Sequence, residues 1–169
     1  MLERTEVQKA LDRFGKDVST KANADFKGRG KVEYDLNVFP NSFGLEFLME
    51  QYMEFQDKGV KGKKSSRKAP DSPYRFGSGN FSGRWSEFRL SINGWMIRKG
   101  IAPRDKSGQF IKRKDIIYAI TKSIYETGLK PKRFFTNAFN REFQELPEEL
   151  LEAYGLDVER FMETTLNAK

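Results

Sequence analysis

Seven cations, Lys58, Lys61, Lys63, Lys64, Arg67, Lys68 and Arg75, fall within eighteen residues, in a stretch rich in Gly and Ser. Repeated flexible cations of this kind neutralise phosphates, so the binding chemistry open to them is salt-sensitive attachment to nucleic acid. The same side chains could instead stay solvated, or pack on an acidic protein neighbour such as the carboxylates from Glu142 to Glu163 of an identical subunit. Covalent chemistry has fewer openings. Histidine and cysteine are absent, which removes thiolate nucleophiles, disulfides, imidazole acid–base catalysis and the ligands of nearly every zinc or copper site. Pro70-Asp71 could begin a metal-dependent nuclease motif, but no acidic-x-Lys triplet follows it to complete a Mg²⁺ site. The one such triplet, Asp25-Phe26-Lys27, lies far upstream at a helix end, so Asp71 reads as a turn residue. Gly77-Ser78-Gly79 lacks the length and the lysine of a phosphate loop and reads as a hinge. The expectation is a protein with no catalytic residues, no metal, no cofactor and no enzymatic activity.

The net charge of +7 is unevenly placed. Met1 to Asp57 holds eight basic and eleven acidic residues, Lys58 to Lys114 sixteen and three, and Asp115 to Lys169 seven and ten. The basicity therefore belongs to the middle third. A chain of 169 residues suits a single domain. Only 37% of residues are apolar, but 14% are aromatic, and each buried aromatic side chain removes ~150–250 Å² from water, so a thin but real core is expected. The N-terminal Met1-Leu2-Glu3-Arg4-Thr5-Glu6 is charged where a signal peptide would be apolar, and no apolar run is long enough to cross a bilayer. A soluble, cytoplasmically made protein with no membrane partner is expected.

These residues need elements to position them. Val7, Leu11, Phe14, Val18 and Ala22 recur at helical spacing and predict an amphipathic helix over 3–26, ended by Gly28-Arg29-Gly30. Val32, Tyr34, Leu36 and Val38 alternate with polar residues, as do Phe43, Leu45 and Phe47 after Pro40-Asn41, which predicts a hairpin with one buried face. The second strand is expected to run on, straight or bulged, through Leu48 and Tyr52 to Phe55. An exposed basic loop is expected over 58–80. Capped by Asn80 or Ser82, a helix over 83–99 should bury Trp85, Phe88, Ile92, Trp95 and Met96, stopping at Gly100. After a second basic loop, 102–108, a helix over 113–127 should bury Ile116, Ile117, Ile120 and Ile124 and end on a left-handed Gly128. Pro131 suits the first turn of the next helix, whose Phe134, Phe135, Ala138, Phe139 and Phe143 could stack bases but, at helical spacing, read as core. Pro147 should break it, leaving two short acidic helices, 148–154 and 157–167, separated by Gly155. The fold class expected is α+β: a small antiparallel sheet with helices packed on one face, a long N-terminal helix and a helical C-terminal extension over 147–169. A hairpin alone is too small, so a third strand or a neighbouring chain should pair with it.

Two segments carry a resemblance. Tyr52, Phe55, Asp57, Gly59 and Gly62 form a Tyr-x-x-Phe-like element that runs into a Gly-containing turn, and Pro131, Phe134 and Phe135 form a Pro-x-x-Phe-Phe element after the 116–128 helix. The order of these elements, over roughly 3–139, is similar to that of the neck or tail-completion (head–tail connector) proteins of tailed bacteriophages. The resemblance implies a structural virion protein without chemistry, present in the host cytoplasm during assembly. It implies a closed sixfold or twelvefold ring of identical subunits between the portal-bound connector and the tail, with adjacent neck and tail proteins as further partners. The chain departs from the family pattern by the long basic insert over 61–80 and the acidic extension after Leu146. The rival reading is a basic nucleic-acid-binding accessory protein; a carboxylate enzyme is a distant third, with no coherent site.

Overall fold

A computed structural model describes residues 5–40, 42–78 and 85–167, with side chains except at 85–87 and 164–167. Glu3, Asn41, Gly79, Asn80, Ser82 and Gly83, and the Trp85 side chain, lie outside the described residues. The elements run α1 Glu6–Asp25, β1 Glu33–Phe39, β2 Ser42–Leu48, α2 Gln51–Lys58, β3 Val60–Lys61, α3 Trp85–Arg98, α4 Arg113–Thr127, β4 Gly128–Leu129, α5 Phe134–Phe143 and α6 Leu146–Asn167. This is an α+β fold with a long N-terminal helix. Length suggests one domain; the backbone gathers into two compact units, one from Met1–Asp57 with Arg133–Lys169, the other from Lys58–Lys132.

In the first unit, α1 starts at a capping box, with the Thr5 hydroxyl accepting from the Gln8 N–H at 3.2 Å and the Gln8 side chain accepting from the Thr5 N–H at 3.2 Å. Its buried face is Ala10, Phe14, Val18 and Ala22, four residues apart; Val7 and Leu11, expected there, are only half-buried. β1 and β2 form the expected antiparallel hairpin, from Glu33 opposite Leu48 to Phe39 opposite Ser42. Tyr34 lies so close over α1 that a Cβ on Gly15 would stand 2.4 Å from its ring. Leu45 and Phe47 pack on Phe14 and Val18, but Phe43 stays 40% exposed and its partner Val38 56%, so the buried face does not reach the turn. Among the described residues no third strand joins the hairpin. Packing on α1 does that work, since a helix can supply the support that further strands would.

The C-terminal helices complete this core. Phe134 and Ala138 of α5 are buried with Ala22, Phe26, Val32 and Met53. Phe14 meets Phe47 and Phe139 edge-on, ring centroids 6.2 and 5.6 Å apart. Phe143 stacks on Phe139 yet remains half-exposed. Three expectations fail here, each for a local reason. The run 52–55 is helical rather than strand: within α2 Met53 and Asp57, one turn apart, are buried, while Phe55 between them, which a strand would bury on the same face, is only half-buried. Pro131 precedes α5 instead of opening it; Arg133, at φ 55° and ψ 28°, turns the chain into the helix. Pro147 does not separate short helices: it sits in the first turn of one 22-residue α6, where its missing N–H costs nothing, and Gly155 continues within that helix at a cost of ~1 kcal/mol.

In the second unit, the two-residue strands β3 and β4 pair antiparallel, Val60 with Leu129 and Lys61 with Gly128. The stretch after Val60 is not the exposed loop that composition predicts. Val60, Ala69, Ser72 and Phe76 are buried, and the Phe76 ring packs 5.8 Å from Phe88 and 5.5 Å from Tyr125. α3 buries Met96, with Phe88 and Ile92 half-buried, but Trp95, expected as an anchor, is 40% exposed. Gly100, at φ 62°, ends the helix: its N–H donates to Ile97 and that of Ile101 to Met96, the paired bonds of a Schellman cap. α4 buries Ile117 and Thr121 with Ile116, Ile120 and Ile124 half-buried beside them.

Candidate assembly surface

The two family-like segments are far apart in sequence and meet in both units. In the first unit the Asp57 carboxylate, 1% exposed, accepts from the N–H groups of Phe135 at 2.8 Å and Thr136 at 3.2 Å, and from the Thr136 hydroxyl. These are donors that the start of a helix leaves unsatisfied, so Asp57 caps α5 from 78 residues away, with its charge at the favourable end of the helix dipole. The Asp57 carbonyl accepts the Arg133 N–H at 3.1 Å. Phe134 and Phe135 pack in the core that this cap orients. Tyr52 packs on the same core; burial, reinforced by the charge of Glu50, raises its hydroxyl above the ordinary tyrosine range. Phe55 is half-buried in α2.

In the second unit the glycines permit close backbone approach. A Cβ on Gly59, at φ 71°, would stand 2.7 Å from the Leu129 carbonyl and 2.8 Å from the Pro131 nitrogen. On Gly62 it would meet the Glu126 carbonyl at 2.2 Å. Gly128 has φ 89° and ψ 175°, so it is an extended left-sided glycine rather than the left-handed helical cap expected.

The seven candidate cations do not form one free basic arm. The N–H groups of Lys63 and Lys64 donate to the carbonyls of Tyr125 and Glu126 at 2.9 and 3.1 Å, closing the C-terminus of α4. The Lys64 ammonium bonds Glu126 at 2.8 Å, and that hydrogen bond holds the Glu126 carboxyl below its ordinary range. Lys68 donates to the Thr127 hydroxyl at 2.8 Å. The Arg75 guanidinium donates to the Gly62 carbonyl at 3.0 Å and to Ser66 at 2.7 Å. Lys58 lies 5.9 Å from the Tyr74 ring centre and Lys63 6.0 Å from that of Tyr125, within cation–π range. Arg67 is exposed, and Lys61 is half-buried in β3. The second basic loop is a closed tip: the Asp105 carboxylate accepts from the N–H groups of Ser107 and Gln109 at 2.8 and 2.9 Å, and Arg104 lies 3.7 Å over the Phe110 ring. Asp71 is exposed in a turn, Asp25 closes α1, and among the described residues no three carboxylates gather as a metal site would need.

Sequence reading missed what the units make of the charge. The first unit holds twelve Lys and Arg against nineteen Asp and Glu, a net of −7; the second holds nineteen against five, a net of +14. It also missed the outer face of α6. Leu146, Leu150 and Ala153 turn towards α1, and Asp157 accepts the N–H groups of Glu6 and Val7 at 2.9 and 3.1 Å, capping that helix. Leu151, Tyr154, Val158 and Met162, at i, i+3, i+7 and i+11, are left 74, 65, 38 and 54% exposed. That spacing was readable, but splitting the segment at Gly155 hid it. No helix among the described residues is long and apolar enough to cross a membrane. No protein-family model, curated protein or solved structure matches this chain.

Proposed function

We propose that the chain is a structural subunit of a tailed-phage neck, self-assembling into a closed ring at the head–tail interface and catalysing nothing. The observation that carries this reading is the division of charge, −7 in one unit and +14 in the other. A closed ring needs two different complementary patches on every subunit, and oppositely charged units supply them. The meeting of the two family-like segments adds support, because Asp57, Gly59, Gly62 and Gly128 each occupy positions that demand their residue type. The test is mass by light scattering across ionic strength. Multiples of 19.6 kDa at low salt, falling towards 19.6 kDa in 1 M salt (Debye length ~3 Å), are expected. A chain of 19.6 kDa at every salt and concentration would refute ring formation.

The +14 of the second unit also favours a second reading, a nucleic-acid-binding accessory protein. A monomer that shifts duplex DNA with a steep salt slope would select it.

A further inference from the structure

We infer that the ring contact is made by the outer face of α6 seated on the α3–α4 groove of the next copy, an inference that rests on the self-assembly reading. The α6 face joins the exposed apolar stripe Leu151, Tyr154 and Val158 to an acidic ridge, Glu148, Glu152 and Glu159, one step around the helix. The helix holds six carboxylates against one Arg, so two α6 helices repel each other, and its occupant must be basic.

The α3–α4 groove answers that description. Leu90, 69% exposed, and the buried Ile117 form its apolar part, while Arg89, Arg113 and Lys114 line it with positive charge, with no carboxylate among the described residues. Among the described residues the buried Arg89 Nε has no hydrogen-bond partner. The groove holds about 470 Å³, which suits one or two side chains of a helix laid across it rather than the whole helix. Face and groove are different surfaces, so the contact is head-to-tail and can propagate around a ring.

The test uses two full-length variants whose substitutions fall at exposed positions. One carries Leu151→Asp with Tyr154→Asp and keeps its groove; the other carries Arg113→Glu with Lys114→Glu and keeps its α6 face. Arg89→Glu is a third variant, and unchanged far-UV circular dichroism and melting establish that each is folded. Each variant alone should associate on the order of 100-fold more weakly than the unaltered chain, the loss expected where a buried contact is removed. Mixed, the first two should form a 1:1 heterodimer and stop, because one intact face meets one intact groove. Oligomers of the unaltered chain that persist in either variant would overturn this contact while leaving the ring reading in place. So would a mixture that stays monomeric. A monomeric unaltered chain would refute the ring reading itself, and this contact with it.

Discussion

Replacing Asp57 with Ala should be among the most damaging single changes in the first unit. The side chain is 1% exposed and serves three donors, two N–H groups and a hydroxyl, all at the start of α5. Hydrogen bonds to a charged group contribute ~1.5–3 kcal/mol each, and loss of a helix cap alone costs ~0.5–2 kcal/mol. The three bonds share one acceptor and are not additive, so the expected cost is ~3–5 kcal/mol, a large part of a typical domain stability of ~5–15 kcal/mol. Asp57→Asn keeps the volume and one acceptor oxygen for the N–H groups and should cost only ~1–2 kcal/mol. Thr136→Val removes the hydroxyl bond alone and should fall in the same range. Urea unfolding followed by far-UV circular dichroism gives all three values. If Asp57→Ala stays within ~1 kcal/mol of the unaltered chain, or Asp57→Asn is as harmful as Ala, the capping argument is wrong.

Gly128→Ala should cost ~2–4 kcal/mol, because φ is 89° and the new Cβ would stand 2.4 Å from the Val60 carbonyl. Gly100→Ala, at φ 62° with nothing within 4 Å, should cost only ~1 kcal/mol; equal losses, read by the fluorescence of Trp95 and Trp85, would refute the role of close approach. Glu126 is held below its ordinary pKa by Lys64, so its contribution is complete above the unfolded carboxylate value and is lost only as pH falls through the lowered folded one. Carbon-detected titration should give a midpoint under the usual ~4.3, rising in Lys64→Ala; an unchanged midpoint in that variant would remove Lys64 as the cause.

What was legible in the sequence was local. The hairpin came from strict alternation, α1 from its spacing, and the stop of α3 from Gly100, whose cap uses residues within one turn. What was not legible depends on partners far along the chain. The segment 52–58 is aromatic enough to suit a strand; what decides for a helix is that Met53 and Asp57 have a core and a helix start to meet. The basic stretch after Val60 has the composition of a solvated loop, yet α4 leaves its last carbonyls open and Lys63 and Lys64 close them. Pro147 and Gly155 were read as breaks by residue type, when the position of the proline in the first turn decides its effect.

The engagement of the cations bears on which partner the charge suits. Hydrogen bonds from Lys68 and Arg75 to a hydroxyl and to a carbonyl order those side chains without neutralising them, whereas Lys64 is paired with the Glu126 carboxylate. A unit at +14 therefore keeps its self-repulsion. Cations fixed in place suit a fixed pattern of carboxylates better than the continuous phosphate track of a duplex, which mobile arms follow at less cost. Added salt then acts in opposite directions on the two levels of organisation. It relieves repulsion within the basic unit, and it screens the attraction between that unit and an acidic neighbour. A chain built this way is least comfortable alone at low salt, which is the condition that most favours the proposed assembly.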